Sequence, residues 1–84
     1  MTLFYLSFCD LDLPEGKQFL GACIVEAGSG VEAVMEAHRL GINPGGQVRF
    51  ATLAEEARGH PELDEYLNHF VPRERVLAAP YLPL

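Results

Sequence analysis

Two segments near the N-terminus each carry apolar side chains on both faces of an expected β-strand. Leu3 to Cys9 and Gln18 to Glu26 have strand composition, and a loop containing Pro14 and Gly16 separates them. A sheet with one face in water alternates apolar and polar residues, and neither segment does. We therefore expect an antiparallel hairpin that must be covered on both faces.

A helix is expected directly after this hairpin. Ser29 and Glu32 have the spacing of a capping box, in which both side chains accept hydrogen bonds from backbone N–H groups. Gly41 followed by Ile42 predicts a Schellman ending. Between these signals apolar residues recur at helical spacing, which predicts the face that packs on the sheet. The stripe consists of Val31, Val34, Met35, His38 and Ile42, with Ala33, Ala37 and Leu40 beside it.

The rest of the chain predicts a third strand and a shorter second helix. Asn43 to Gly46 predicts a tight turn, and Gln47 to Leu53 a strand. Pro61 suits the first position of a helix that Pro72 ends, and Arg75 to Ala79 predicts a short fourth strand. The apolar residues of this second helix are Leu63, Tyr66, Leu67 and Phe70.

These elements predict a single α+β domain spanning residues 1–84. It consists of a small ββαβ sheet-and-helix unit, a second short helix and an extended C-terminal segment. That segment, residues 79–84, is apolar and punctuated by prolines. It either packs along a groove of the domain or docks onto a partner.

The apolar content is large for so short a chain. Apolar residues make up 49% of the 84 residues, but a domain of this size has a thin core. A second helix of about three turns is too short to cover a sheet face. We therefore expect a homodimer that buries the remaining apolar surface. The residues predicted at its interface are Leu3, Tyr5, Phe19, Tyr81 and Leu82.

Charge, apolar run lengths and cysteine usage bear on whether the chain binds nucleic acid, crosses a membrane or is secreted. Twelve acidic against six basic residues give a net charge of −6, which argues against binding DNA or RNA. The apolar stretches are far shorter than the ~20 residues of a membrane span, and Asp10 and Asp12 interrupt any signal-peptide pattern. We therefore expect a cytoplasmic protein in which Cys9 and Cys23 are free thiols.

No residue pattern specifies a metal, a cofactor or a catalytic set. The cysteines and histidines show no CxxC, HxxxH or HExxH spacing, so we predict no metal site. A nucleophilic pair would combine Cys9 with His38 or His69, but the neighbouring anion Asp10 disfavours the thiolate that such catalysis needs. We therefore assign no catalytic residue, and whether the chain is an enzyme stays open.

The glycine-rich segment Gly41 to Gly46 has two interpretations. Phosphate-binding loops precede a helix N-terminus, whereas this segment follows a helix C-terminus. The first interpretation is therefore a helix stop and turn. The second is a small-ligand site beside the turn. Its candidate residues are His38, Asn43, Gly45, Gly46 and Arg49.

Three segments carry a resemblance, in this order along the chain: Phe4–Asp10 (FYLSFCD), Gln18–Ala22 (QFLGA) and Leu40–Gly46 (LGINPGG). Together they resemble a group of short uncharacterised bacterial and phage proteins. The resemblance covers the first half of the chain and implies no activity, cofactor or site residue. It implies a small accessory protein of the kind that acts by binding.

The sequence therefore favours a non-catalytic binding or regulatory accessory protein. Its expected partners are a second copy of itself and an unidentified protein. One alternative is a protein that binds or sequesters a nucleotide or metabolite near residues 43–46. Another is a small hydrolase or isomerase that uses His38 or Cys9.

Overall fold

The computed structural model describes residues 1–78, which form a four-stranded antiparallel sheet with a helix against each face. Across the sheet the strand order is β3-β1-β2-β4. The predicted α+β class is confirmed, and so is the ββαβ order of the first four elements. The strands are β1 (Thr2–Cys9), β2 (Phe19–Ala27), β3 (Gln47–Thr52) and β4 (Val71–Pro72), and the helices are α1 (Gly30–Arg39) and α2 (Arg73–Leu77).

The β1–β2 hairpin and the cover on both of its faces are as predicted. Phe4, Leu6 and Phe8 of β1 form one apolar cluster with Cys23 and Val25 of β2, beneath α1. The other face of the same strands lies under the segment that follows β3. Two separate clusters on one thin sheet explain why neither strand alternates apolar and polar residues.

Both predicted ends of α1 are confirmed. The backbone N–H of Glu32 donates to Ser29 Oγ at 3.2 Å, and Glu32 Oε2 accepts from the Gly28 N–H at 3.2 Å. At the other end, the Ile42 N–H donates to the Ala37 carbonyl at 3.0 Å. The next-inner pair closes as well, so the ending is a full Schellman motif with its glycine at positive φ.

The face that α1 turns toward the sheet differs from the predicted stripe. Gly30, Ala33 and Ala37 are buried, whereas Val31 and Met35 are 67% and 65% exposed. Small residues let the helix lie close to the sheet. Val34 and Ile42 of the predicted stripe pack against the cluster there, whereas Val31 and Met35 are rotated toward solvent.

The segment after β3 departs most from the prediction. A short 3-10 turn, Pro61–Leu63, stands where the second helix is predicted to begin, and another, Glu55–Ala57, precedes it. The backbone then follows the edge of β2, where the Ile24 N–H donates to the Tyr66 carbonyl at 2.9 Å and Ile24 accepts from Asn68 at 2.8 Å. The Tyr66 carbonyl and the Asn68 N–H thus pair with β2, so a helix from Pro61 cannot continue through them.

The last described residues form α2 where a fourth strand is predicted. The fourth strand lies earlier, in the two residues of β4. Together β4 and α2 bring Val71 and Val76 over the second sheet face, where they pack with the fully buried Tyr66. Neither helix within residues 1–78 has the length and apolar character to cross a membrane.

This cover changes the position of two predicted interface residues. Leu3 and Tyr5, expected between two copies, are buried inside the chain beneath Tyr66 and its neighbours. Phe19 is half-buried against the same cluster. Tyr81 and Leu82, with the whole segment 79–84, lie outside the described residues.

Candidate functional site

The turn at residues 43–46 is held by its own hydrogen bond. Asn43 Oδ1 accepts from the Gly45 N–H at 2.8 Å, and both glycines of the turn have positive φ, +95° at Gly45 and +76° at Gly46. The Cα of Gly46 lies so close to Cys9 that a Cβ there would be 2.3 Å from the Cys9 carbonyl oxygen. The turn therefore serves to bring the chain back beside the end of β1.

The residues predicted around a ligand at this turn do not converge. A shallow cavity of about 160 Å³ is lined by Asn43, its neighbours in the turn and Phe70. His38 is exposed on the last turn of α1. Arg49 pairs with Ser7 and so lies on the opposite face of the sheet from α1. A ligand site at this turn stays a prediction, with Asn43 the one predicted side chain that borders the cavity.

The thiols are separated by the sheet. Cys23 packs in the cluster beneath α1, whereas Cys9 is paired with Phe19, which packs on the other face. The bulge-free register from Thr2–Ala27 to Phe8–Gly21 places odd residues of β1 and odd residues of β2 on opposite faces. Burial raises the pKa of the Cys23 thiol to about 12, so this thiol stays protonated.

A set of ligands for a metal ion is likewise not assembled in the described part of the chain. Within residues 1–78 no three His, Cys, Asp or Glu side chains come together. Nor does any described polar side chain form a hydrogen bond with His38 or Cys9 that would activate a nucleophile.

A second cavity, of about 140 Å³, lies beside β2 over the second sheet face. Its main cation is Arg58, which donates to Glu55 Oε1 at 2.8 Å, to the Met1 carbonyl at 3.0 Å and to the Glu26 carboxylate. Hydrogen bonds to the Glu26 and Glu55 carboxylates raise the pKa of the Arg58 guanidinium and balance its positive charge. His60 is paired with Glu62 in the same wall. These bonds of Arg58 join the N-terminus, β2 and the segment after β3, so they stabilise the fold.

The outer edge of β3 is the feature that remains without a structural role. The Leu53 N–H donates to the Leu3 carbonyl at 2.9 Å, so the odd-numbered residues of this strand face β1. The backbone N–H and C=O groups of successive residues point to alternate sides of a strand. Those of Val48, Phe50 and Thr52 therefore point away from the sheet. Within residues 1–78 no strand pairs with this edge.

Exposed apolar side chains lie directly beside this edge. The Phe50 ring lies over Gly30 of α1, where a Cβ would be 2.1 Å from it, and it meets Phe4 edge to face at 6.0 Å. Phe50 is nevertheless 52% exposed, and Val31, the helix residue next to Gly30, is 67% exposed. We call Val31, Phe50 and the outer edge of β3 the α1–β3 surface.

No protein-family model, curated protein or solved structure matches this chain. The function is therefore inferred from the geometry. Sequence reasoning placed Val31 and Met35 in the core and missed this surface. One signal was available, because the strand Gln47–Thr52 contains no proline, lysine or acidic residue, the usual protection of a sheet edge.

Proposed function

We propose that this chain is a non-catalytic, cytoplasmic binding module that acts through protein–protein contacts at the α1–β3 surface. The observation that carries the proposal is the combination of outward-facing backbone groups along β3 with exposed apolar side chains beside them. A partner segment in extended conformation can use both at once, by adding a strand to the sheet edge.

The composition of β3 supports this proposal. Soluble proteins normally protect an edge strand with lysine, proline, an inward charge or a bulge, because an open edge pairs with other chains. Residues 47–52 contain no lysine, no proline and no bulge, and their register with β1 is continuous. The one charge, Arg49, is on the sheet face opposite α1.

The surface also specifies the chemistry of the partner segment. Its side chains on the α1 side of the sheet must be apolar, because they will contact Phe50 and Val31. On the other side a neutral or acidic residue suits the position opposite Arg49, since like charges directly opposite each other destabilise a sheet. The partner is thus an extended, mostly apolar segment without lysine or arginine at that position.

Affinity capture with a matched pair of variants tests the proposal. Val31→Glu puts a carboxylate on the α1–β3 surface at a side chain that is 67% exposed, and Leu11→Glu makes the same change at a loop side chain that is 54% exposed. Proteins captured by the wild-type chain should be lost with Val31→Glu and retained with Leu11→Glu. Equal capture by both variants would show that binding uses a different surface.

A further inference from the structure

We infer that the segment that pairs with β3 is β3 of a second copy of this chain, antiparallel across a twofold axis at Phe50. The inference rests on the proposed function and names the occupant of the α1–β3 surface. Across a twofold axis, the outward N–H and C=O groups of a strand must be matched by the same groups of its copy, and β3 meets this condition.

One register satisfies all the outward backbone groups of β3. With Phe50 opposite Phe50 of the second copy, Val48 faces Thr52 of that copy and Thr52 faces its Val48. These are the three outward residues, so each N–H and each C=O finds a partner, as in the hydrogen-bonded pairs of an antiparallel ladder.

Moving the axis by two residues loses this match. An axis at Val48 pairs Thr52 with Pro44, which has no N–H to donate. An axis at Thr52 pairs Val48 with Glu56, which lies in the 3-10 turn Glu55–Ala57 and not in a strand. An axis at Arg49 pairs Thr52 with Gly46 and sets the two Arg49 side chains opposite each other. An axis at Ala51 pairs Val48 with Ala54. Only the register centred on Phe50 therefore pairs all three outward residues within β3.

The side chains agree with this register. Phe50 meets Phe50 of the second copy on the α1 side, where Val31 follows Gly30 in each copy, so exposed apolar atoms of Phe50 become covered. On the other side Arg49 lies opposite Ala51, which keeps the two guanidinium groups from facing each other.

The charge of the chain is compatible with self-association through β3. Each chain carries −6, so two copies repel wherever their carboxylates meet. The strand from Gln47 to Thr52 contains no carboxylate, and Glu36 of α1 is already paired with Arg39. A second copy that pairs with β3 therefore meets no carboxylate on the strand itself.

The first test is the mass of the 84-residue chain, measured by analytical ultracentrifugation over a range of concentrations. We expect a monomer–dimer equilibrium that Thr52→Pro weakens by roughly tenfold or more, because two N–H donors are lost by symmetry. The Thr52 N–H faces away from β1, so proline there removes no bond within the chain. Thr52→Val keeps the donor and should keep the dimer.

The register has its own test in a Cys9→Ser background, in which the remaining thiol, Cys23, is buried. Phe50→Cys should form a covalent dimer under mild oxidation, because directly opposed Cα atoms lie about 5.5 Å apart, within disulfide range. Thr52→Cys should not, since the two Thr52 residues are four positions apart in this register. A crosslink through Thr52→Cys and none through Phe50→Cys would overturn the register.

The inference and the proposed function fail separately. A wild-type chain that stays monomeric at every concentration, or a dimer indifferent to Thr52→Pro, overturns the second copy as occupant. If Val31→Glu then still abolishes capture of another protein while Leu11→Glu does not, the α1–β3 surface remains a binding surface for that protein.

Discussion

At the scale of single residues, the sheet gives chemically identical groups different properties. Cys9 is half-buried at a strand end, while Cys23 is fully buried beneath α1 and burial raises its pKa to about 12. Spacing alone could not distinguish them, because the side on which a cysteine lies depends on the hairpin register. Residue type therefore predicted two free thiols, and the fold determines which of them is reactive.

Thiol labelling with a disulfide reagent at neutral pH should reveal this difference. We expect Cys9 to react in the folded protein and Cys23 to react only on unfolding, because attack needs an accessible thiolate. The variant Cys9→Ser should then label at the unfolding rate, and Cys23→Ala should label as fast as the wild type. Rapid labelling of folded Cys9→Ser would show that α1 does not seal the cluster beneath it.

At the scale of elements, the sequence correctly predicted the features that depend on interactions between residues close in the chain. The caps of α1, the turn at 43–46 and both strands of the hairpin depend on residues close in sequence, and all are observed. The helix expected from Pro61 fails because β2 offers its edge to residues 66–68. A tertiary hydrogen-bond partner of this kind outweighs helical spacing and leaves no trace in the local sequence.

The α1–β3 surface was missed for the same reason, because it depends on a contact between residues far apart in the sequence. The apolar spacing in α1 indicates a helix but does not fix the angle at which it packs. That angle is set by the close approach of Gly30 to Phe50, a contact between residues 20 positions apart in the printed sequence. Large residues were therefore assigned to the core, and the small residues that actually form the contact were not.

The turn before β3 allows a prediction at this scale. Gly46→Ala should lower the free energy of unfolding by about 2–4 kcal/mol, because its positive φ is strained and its Cβ would strike the Cys9 carbonyl. Gly45→Ala has the same backbone strain but open space around its Cβ, and should cost about 1 kcal/mol. Denaturant unfolding measures both, and equal losses would contradict the close contact with β1.

At the scale of the whole molecule, a thin sheet is stabilised by two apolar clusters that also bury ionisable groups. Tyr5 lies in one cluster and Cys23 in the other. Burial first, then the nearby Tyr66 and Cys23, raise the pKa of Tyr5 to about 12. Folding thus requires that both groups keep their protons.

The stability of the chain should consequently fall at alkaline pH. The ordinary pKa values are 10.0 for tyrosine and 9.0 for cysteine, and both rise to about 12 in the folded chain. The folded state holds these protons more tightly, so their contribution is complete below pH 9 and is lost as pH rises toward 12. Each group should lower the free energy of unfolding by about 1.4 kcal/mol per pH unit within its window.

Denaturant unfolding at a series of pH values measures this slope, with Tyr5→Phe as the matched variant. The Tyr5 hydroxyl has no hydrogen-bond partner among residues 1–78, so its removal should change stability at pH 7 by less than about 1 kcal/mol. It should flatten the decline above pH 10. An unchanged decline would assign the alkaline loss to other groups.

The position of β1 in the sheet has a consequence for how the chain is made. Its neighbours are β2, which follows within a short loop, and β3, whose pairing joins Phe4 to Thr52 and Cys9 to Gln47. During synthesis β1 leaves the ribosome before both of its neighbours, and it therefore stays open on one side until residue 52 has emerged. Pairings of such long sequence separation fold slowly, and the nascent chain exposes an unprotected apolar strand throughout that interval.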